Sequence, residues 1–329
     1  MKKVSNNLLL LFVAVFLNSS VFAQAEGSGH DIGLSVGPNF ALTDLGGANK
    51  IGAPFLRDID PQATRFCISA FYRYNVNKWF AVRANLMYGM LTADDSHTDG
   101  TPPSVDGPPS DSWYRARRNL NFTTHIVEFQ GLLEANLKKY VHDAAAGENE
   151  RWAPYVGAGL GFFYFDPYTT LNGAKVKLRP LGTEGQAIYR DKKKYSNLQF
   201  DLVALVGIKY NITSRFSLAL EGMYHQTFTD YLDDVSGNYV NADDVSKLSS
   251  TAQALQNRAN AGRYGSAEFN FVEGQYTTAG LPNPGGIGQQ RGDKKDNDQF
   301  FNVQLTLSIA LTSGMGKSRF RGNFSCPVW

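Results

Sequence analysis

The sequence predicts an all-β fold: an eight-stranded antiparallel transmembrane β-barrel with short periplasmic turns, long extracellular loops and a periplasmic C-terminal tail. Three observations predict it. An export leader opens the chain, eight segments alternate apolar with small or polar residues, and the connections alternate short and long.

The leader comes first. Lys2 and Lys3 precede an apolar run over residues 8–17, and small and polar residues lead to Val21-Phe22-Ala23 before Gln24. A charged start, a short apolar core and a small-residue cleavage site make a secretory signal. The run falls well short of the ~20 apolar residues of a spanning helix. Residues 1–23 are therefore read as a signal peptide, 24–311 as the barrel and 312–329 as the tail. An exported chain without a spanning helix is periplasmic, secreted or a closed barrel. Composition favours the barrel: 32 glycines, 13% aromatic residues and a slightly polar average. Only alternate barrel residues meet lipid, so mean hydropathy stays near that of a soluble protein. The net charge of +2 offers nothing to a nucleic acid or a strongly acidic partner.

The segments follow in order. Residues 31–39 set Ile32, Leu34, Val36 and Pro38 against Gly33, Ser35, Gly37 and Asn39. Residues 65–74 set Phe66, Ile68, Ala70, Tyr72 and Tyr74 against Arg65, Cys67, Ser69, Phe71 and Arg73. Residues 79–90 set Phe80, Val82, Leu86 and Tyr88 against Ala81, Arg83, Asn85 and Gly89. In 120–137, Val127, Phe129, Leu133 and Leu137 oppose Glu128, Gln130 and Glu134. In 155–164, Val156, Leu160 and Phe162 oppose Gly157, Gly159 and Gly161. In 198–210, Phe200, Leu202, Val206 and Ile208 oppose Asp201, Gly207 and Lys209. In 216–228, Leu218, Leu220 and Tyr224 oppose Ser217, Glu221 and His225. In 301–311, Val303, Leu305, Leu307 and Ile309 oppose Asn302, Gln304, Thr306 and Ser308. A soluble β-sandwich also alternates, but its polar face meets water and is rich in Lys, Glu and Thr. Here the second face is small and glycine-rich, which suits a narrow, filled interior.

Short connections fall at 75–78, 138–152 and 211–214, and long ones at about 41–63, 92–118, 167–196 and 230–298. The 138–152 connection is longer than a turn requires. The second long loop carries Pro102-Pro103 and Pro108-Pro109, which disfavour regular structure. Residues 242–261 place Val245, Leu248, Ala252 and Leu255 near helical spacing, the mark of a short helix packed across the mouth.

The same register sends Arg65, Arg73, Arg83 and Lys209 inward with Glu128, Glu134, Asp201 and Glu221. Isolated charges in a dry interior are costly, so these eight are expected to form an ion-pair network that fills the barrel. His225 projects inward near Glu221, as a hydrogen-bonded lumen residue rather than a catalytic base. No nucleophile motif, metal-ligand spacing or cofactor loop accompanies it. Gly157-x-Gly159-x-Gly161 alternates within a strand and leaves room for large neighbours. Asp230, Asp233 and Asp234 lack the glycine and distal glutamate of a calcium loop and read as solvated acids. The sequence therefore points to no enzyme, cofactor, metal or small-molecule substrate, and to outer-membrane lipids as surroundings.

The tail holds Lys317, Arg319, Arg321, Cys326 and Trp329, a candidate partner-docking segment. Cys67 lies inside the barrel and Cys326 beyond the opposite rim, farther apart than the ~7 Å Cα limit of a disulfide. Cys326 is thus open to pairing with another protein, to staying a thiol at a docking surface, or to being incidental.

Several stretches have a familiar look. Tyr72-Arg73-Tyr74-Asn75 leads into Ala81-x-Arg83-x-x-Leu86-x-Tyr88-Gly89, Arg118-Asn119-Leu120-Asn121-Phe122 opens the fourth strand, and Pro154-Tyr155-Val156-Gly157-x-Gly159 runs to Phe163-Tyr164-Phe165. Leu181-Gly182-Thr183-Glu184-Gly185-Gln186, Phe228-Thr229-Asp230-Tyr231-Leu232-Asp233-Asp234-Val235-Ser236 and Cys326-Pro327 follow. Together they resemble the PorG-like outer-membrane barrels of Bacteroidota. The resemblance implies a part in the type IX secretion system, alongside protein export and, in some relatives, gliding motility. It implies association with a periplasmic ring of the PorK lipoprotein and PorN, as an anchor and not as the translocation pore. A barrel that captures ligands or adhesion partners through its outer loops, and an outer-membrane enzyme acting on lipid through His225, are the competing readings.

Overall fold

Each alternating segment forms a strand. β-Branched and aromatic side chains fill one face, and small or polar residues let the other face close on itself. The computed structural model describes residues 29–45, 62–98, 115–116, 118–140, 151–213, 215–258 and 290–311. The barrel strands are β1 (Gly29–Leu42), β2 (Arg65–Asn75), β3 (Phe80–Asp94), β4 (Asn121–Asn136), β5 (Trp152–Phe165), β8 (Leu198–Asn211), β9 (Phe216–Thr227) and β10 (Gln299–Ala310). A small hairpin of β6 (Tyr168–Leu171) and β7 (Ala174–Lys177) lies between β5 and β8 in the chain.

Pairing runs β1-β2-β3-β4-β5-β8-β9-β10 and returns to β1, antiparallel throughout. This is a closed eight-stranded barrel, and closure removes every free edge. Register carries the apolar rows from strand to strand: Val36 stands opposite Ile68 on one side and Leu305 on the other. Those rows face outward. Leu305 is 55% exposed and its neighbour Thr306 is 1% exposed, the reverse of a soluble protein. Trp79, Phe80, Trp152, Tyr210 and Phe216 gather toward the short-turn end, and Phe66, Tyr164, Phe200 and Phe228 toward the other. Two aromatic girdles flanking an aliphatic band match the two membrane interfaces. Among the described residues no helix is long and apolar enough to cross a membrane.

Leu305, midway along β10, therefore meets acyl chains. Leu305→Arg is expected to weaken folding into phospholipid vesicles by about 2–4 kcal/mol, against about 0–1 for Phe228→Arg at the rim. Urea titration of both variants checks the difference.

The short turns are held by side chains. Asn77 Oδ1 accepts from the backbone N–H of Trp79 (2.7 Å) and Phe80 (2.9 Å). Thr213 Oγ1 accepts from those of Arg215 (3.2 Å) and Phe216 (3.0 Å). The 167–196 connection, read from sequence as loop, contains the β6–β7 hairpin. Its Asn172-Gly173 turn has both residues at positive φ (51° and 80°), the requirement of a two-residue hairpin. The single helix expected over 242–261 is two short ones, α1 (Ala242–Val245) and α2 (Ser250–Gln256). Ser249 caps α2 by accepting from Ala252 N at 3.2 Å. Leu248 and Ala252 pack with Val240 against Leu181, Ile188 and Tyr189, and Leu255 enters the larger core below. The packing role across the mouth is as expected. The signal peptide, the proline-rich stretch 101–109, residues 141–150 and the tail lie outside the described residues.

Candidate functional site: the filled lumen and its outer cap

The periplasmic half of the lumen holds three cations and three anions. Arg73 on β2, Arg83 on β3 and Lys209 on β8 meet Glu134 on β4, Glu221 on β9 and Asp31 on β1, all at most 2% exposed. Arg73 Nε lies 2.9 Å from Glu134 Oε2, and Arg83 donates to Glu221 Oε1 at 2.8 Å. Arg73 also reaches Glu221 (3.6 Å) and Asp31 (3.8 Å), and Lys209 reaches Glu134 (3.6 Å). The guanidinium carbons of Arg83 and Arg73 stand 4.0 and 4.9 Å from the Phe71 ring centre, and the Lys209 ammonium 4.2 Å from that of Tyr155. Space for those rings comes from small partners. A side chain at Gly33 would collide with Phe71, and one at Gly207 with Tyr155.

The eight charges expected in one network separate into three groups. Arg65 is not part of the lumen network. It sits half exposed at the start of β2 and donates to the carbonyls of Gln62 (3.2 Å) and Thr64 (2.9 Å). Inward phase at a strand's end puts a side chain at the rim, not in the core. Glu128 and Asp201 gather instead around His225, whose Nδ1 lies 3.3 and 2.9 Å from their carboxylates. His225 is thus not paired with Glu221, which belongs to the arginines. Asp31 was missed, although its inward phase on β1 could have found it. The tail residues Lys317, Arg319, Arg321, Cys326 and Trp329 lie outside the described residues. Cys67 is buried inside, as expected.

Above His225 the lumen turns apolar. The Phe300 ring stacks on the imidazole at 4.0 Å, and Phe163, Phe165, Met87, Leu91 and Ile126 complete a buried plug. His225 is itself fully buried, so it has no access to lipid, and the lipid-enzyme reading fails on geometry.

The outer loops fold over this plug as a cap. Glu184 is 1% exposed, and its Oε1 accepts from the backbone N–H of Ser236 (2.9 Å) and Gly237 (3.0 Å) and from Arg291 (3.2 Å). Arg291 also donates to the Asp234 carbonyl at 2.6 Å, and Thr183 donates to the Asp234 carboxylate at 2.5 Å. Arg118 grips Asp95 with two nitrogens (2.8 and 2.9 Å) and donates to the carbonyls of Asp44 (2.7 Å) and Arg291 (2.8 Å). Four loops are thereby stitched together. Nothing in the spacing of Arg118, Glu184 and Arg291 reveals this, since the three are brought together only by the cap.

Asp230, Asp233 and Asp234 are 7%, 1% and 1% exposed, so the expectation of solvated acids is wrong. They sit beneath the cap with Asp44 and Asp298. Burial, reinforced by the neighbouring acids, pushes Asp230 and Asp233 up to about 8 and Asp298 well above the usual carboxylate range. Burial raises Asp44 and Asp234 to about 6, against the pull of Arg118 and Arg291 respectively. The sign follows by linkage. Between about pH 4 and pH 8 the folded cap binds more protons than the open one, so rising pH weakens it. For Asp230 and Asp233 the contribution is complete below about pH 4 and is lost as pH rises through about 8. Hydrogen-exchange protection of the Leu232 and Val235 amides, which donate to Asp298 and Asp233, is expected to fall by up to about tenfold per pH unit per titrating carboxylate. Protection that stays flat over this range contradicts the assignment.

Closure, an apolar exterior and an interior packed with ion pairs and aromatic rings define the class: a small transmembrane β-barrel whose lumen, among the described residues, is filled by side chains. The chain belongs to the family of the outer membrane protein beta-barrel domain, whose model matches residues 8–247, and its place is the outer membrane. A comparison with curated protein sequences finds no significant match. Among solved structures it is similar to Neisserial surface protein A, at 11% identity and a TM-score of 0.36 over 86% of this chain and 99% of that one. It is also similar to the attachment invasion locus protein Ail of Yersinia pestis (9%, TM-score 0.34, 86% and 97% of the two chains) and to the N-terminal barrel of Pseudomonas aeruginosa OprF (8%, 0.31, 87% and 99%).

Proposed function

We propose that this protein is a non-enzymatic outer-membrane component of the type IX protein secretion machinery, anchoring or organising the periplasmic ring. One observation carries the reading furthest. The two loop motifs at the heart of the resemblance to PorG-like barrels, 181–186 and 228–236, lock into each other through Thr183–Asp234 and Glu184–Ser236. Barrel closure does not require that lock, so the motifs that carry the resemblance hold a contact in this chain that barrel physics alone leaves free. The filled lumen supports an anchor over a pore.

On this reading the periplasmic turns and the tail, with Lys317, Arg319, Arg321, Cys326 and Trp329, meet a PorK-like lipoprotein and a PorN-like protein. The test deletes residues 312–329 from the chromosomal copy. Loss of export and of ring proteins recovered by periplasmic crosslinking is expected. Normal export with normal ring recovery rejects the tail as the docking element. A second reading, ligand capture at the surface, draws on a groove of about 650 Å³ in the cap lined by Lys192, Lys193, Lys294 and Lys295 together with Glu184, Asp191 and Asp293. Reversing those four charges leaves export intact on the first reading and abolishes capture of an anionic ligand on the second.

A further inference from the structure

We propose that Glu128, Asp201 and His225 form a buried site for a first-row divalent cation, Zn²⁺ or Mn²⁺, in the outer half of the lumen. One ligand atom from each lies within 4.8 Å of the others, and all three side chains are fully buried. The His225 Nδ1 distances to Asp201 Oδ2 (2.9 Å) and Glu128 Oε1 (3.3 Å) are close to those that a single ion imposes. An ion bonded at about 2.0–2.2 Å to such atoms holds them roughly 3.0–3.5 Å apart.

Charge and hydrogen bonding point the same way. The arginines and Lys209 are matched one for one by Glu134, Glu221 and Asp31 lower in the barrel. Among the described residues that leaves Glu128 and Asp201 with only His225 between them. Asp201 Oδ1 is buried without a hydrogen-bond partner, and Glu128 has only a 3.3 Å contact to His225 and the amide of Gln130 as neighbours. Two carboxylates in a dry interior, with one oxygen unmatched and one imidazole between them, are costly unless a further cation satisfies them. Gly161 faces the same spot: a side chain there would collide with Asp201 Oδ1 and Glu128 Oε1, so the backbone of β5 makes the room. Carboxylate with imidazole suits zinc or manganese.

The surrounding groups can support ligation. Binding through Nδ1 requires Nε2 to keep its proton and to find an acceptor. Asn302 stands 3.1 Å from Nε2, and its amide links on to Gln304 (2.9 Å) and Ser69 (2.7 Å). Each member of that relay carries both a donor and an acceptor, so the relay can reverse as a unit and present Asn302 Oδ1 to Nε2–H. The ion then ties β4 to β8 and β9 beneath the Phe163–Phe300 plug. No spacing in the chain betrays this site, because its ligands come from three strands. The inference is independent of any role in secretion.

The mature chain, purified in detergent without chelators, is analysed for metal by plasma mass spectrometry. It is then stripped while unfolded and refolded with ZnCl₂, MnCl₂ or MgCl₂ alone. About one equivalent of a first-row metal is expected to survive desalting. Zinc or manganese at a hundredfold excess over Kd is expected to raise the unfolding temperature by about 5–10 °C, with no rise from magnesium. Glu128→Gln is expected to lose the metal while folding. Should that variant not fold, Co²⁺ loaded into the wild-type chain decides, through visible d–d bands of mixed nitrogen and oxygen ligation. A folded wild-type barrel that retains no metal, gains no thermal stability and shows no cobalt bands overturns the proposal.

Discussion

Glu134→Gln is expected to destabilise the barrel by about 3–5 kcal/mol, the largest effect of any single isosteric change in the lumen. Glu134 is the shared partner of Arg73, Arg83 and Lys209, and none of these can reach water. Removing its charge leaves three buried cations facing only Asp31 and Glu221. The loss arises from cations stranded in a dry interior rather than from the worth of any single contact. A second substitution should therefore repair it. Lys209→Met removes the surplus cation, and the pair Glu134→Gln with Lys209→Met is expected to recover most of the lost stability. Urea midpoints for folding into vesicles, arranged as a double-mutant cycle, measure the coupling. Simple additivity of the two losses would show that these groups do not act as one network.

Glu184→Ala is expected to open the cap and leave the barrel intact. Its carboxylate serves two backbone amides and Arg291, all in buried surroundings. Truncation leaves those donors unmatched and costs the cap about 3–5 kcal/mol, which raises the open fraction by roughly 10²–10⁴. Limited proteolysis of the folded protein should then cut within 231–256 at a correspondingly higher rate. The heat-dependent gel shift that reports the closed barrel should not change. Lys247→Ala serves as the control, since its ion pair with Asp244 is on the surface and largely screened by water. Equal protease sensitivity of the two variants would mean that Glu184 does not hold the cap.

The eight barrel strands were legible because a period of two needs no tertiary information. Lipid on one side and a filled lumen on the other impose it at every turn of the pleat. The partners of the inward charges were not legible. Arg73 and Glu134 come from strands that are not neighbours in the barrel, and only closure across the lumen joins them. His225 and Glu221 show the converse error. They share a face of one strand, but four residues along β9 place them roughly 13 Å apart. His225 meets Asp201 on the adjacent strand β8 and Glu128 across the lumen instead. Arg65 has the inward phase without the depth, so its guanidinium finds loop carbonyls. The acids after β9 were read as solvated because they lacked the pattern of a calcium loop, although Tyr231, Leu232 and Val235 stand among them. Their neighbours in space are the other loops, which bury them. The Asn172-Gly173 turn carried a local hairpin signal that the reading as loop passed over, whereas the helical spacing from Val245 to Leu255 was read.

The most direct measurement is ionic conductance of the purified mature chain in a planar phospholipid bilayer, with insertion verified by protease protection of the strands. Side chains that fill the cylinder from Arg73 to Phe300 predict an electrically silent membrane at every voltage and pH at which the barrel stays folded. Stable, stepwise channel openings from the folded wild-type protein would contradict a sealed interior, and with it the reading of this barrel as an anchor.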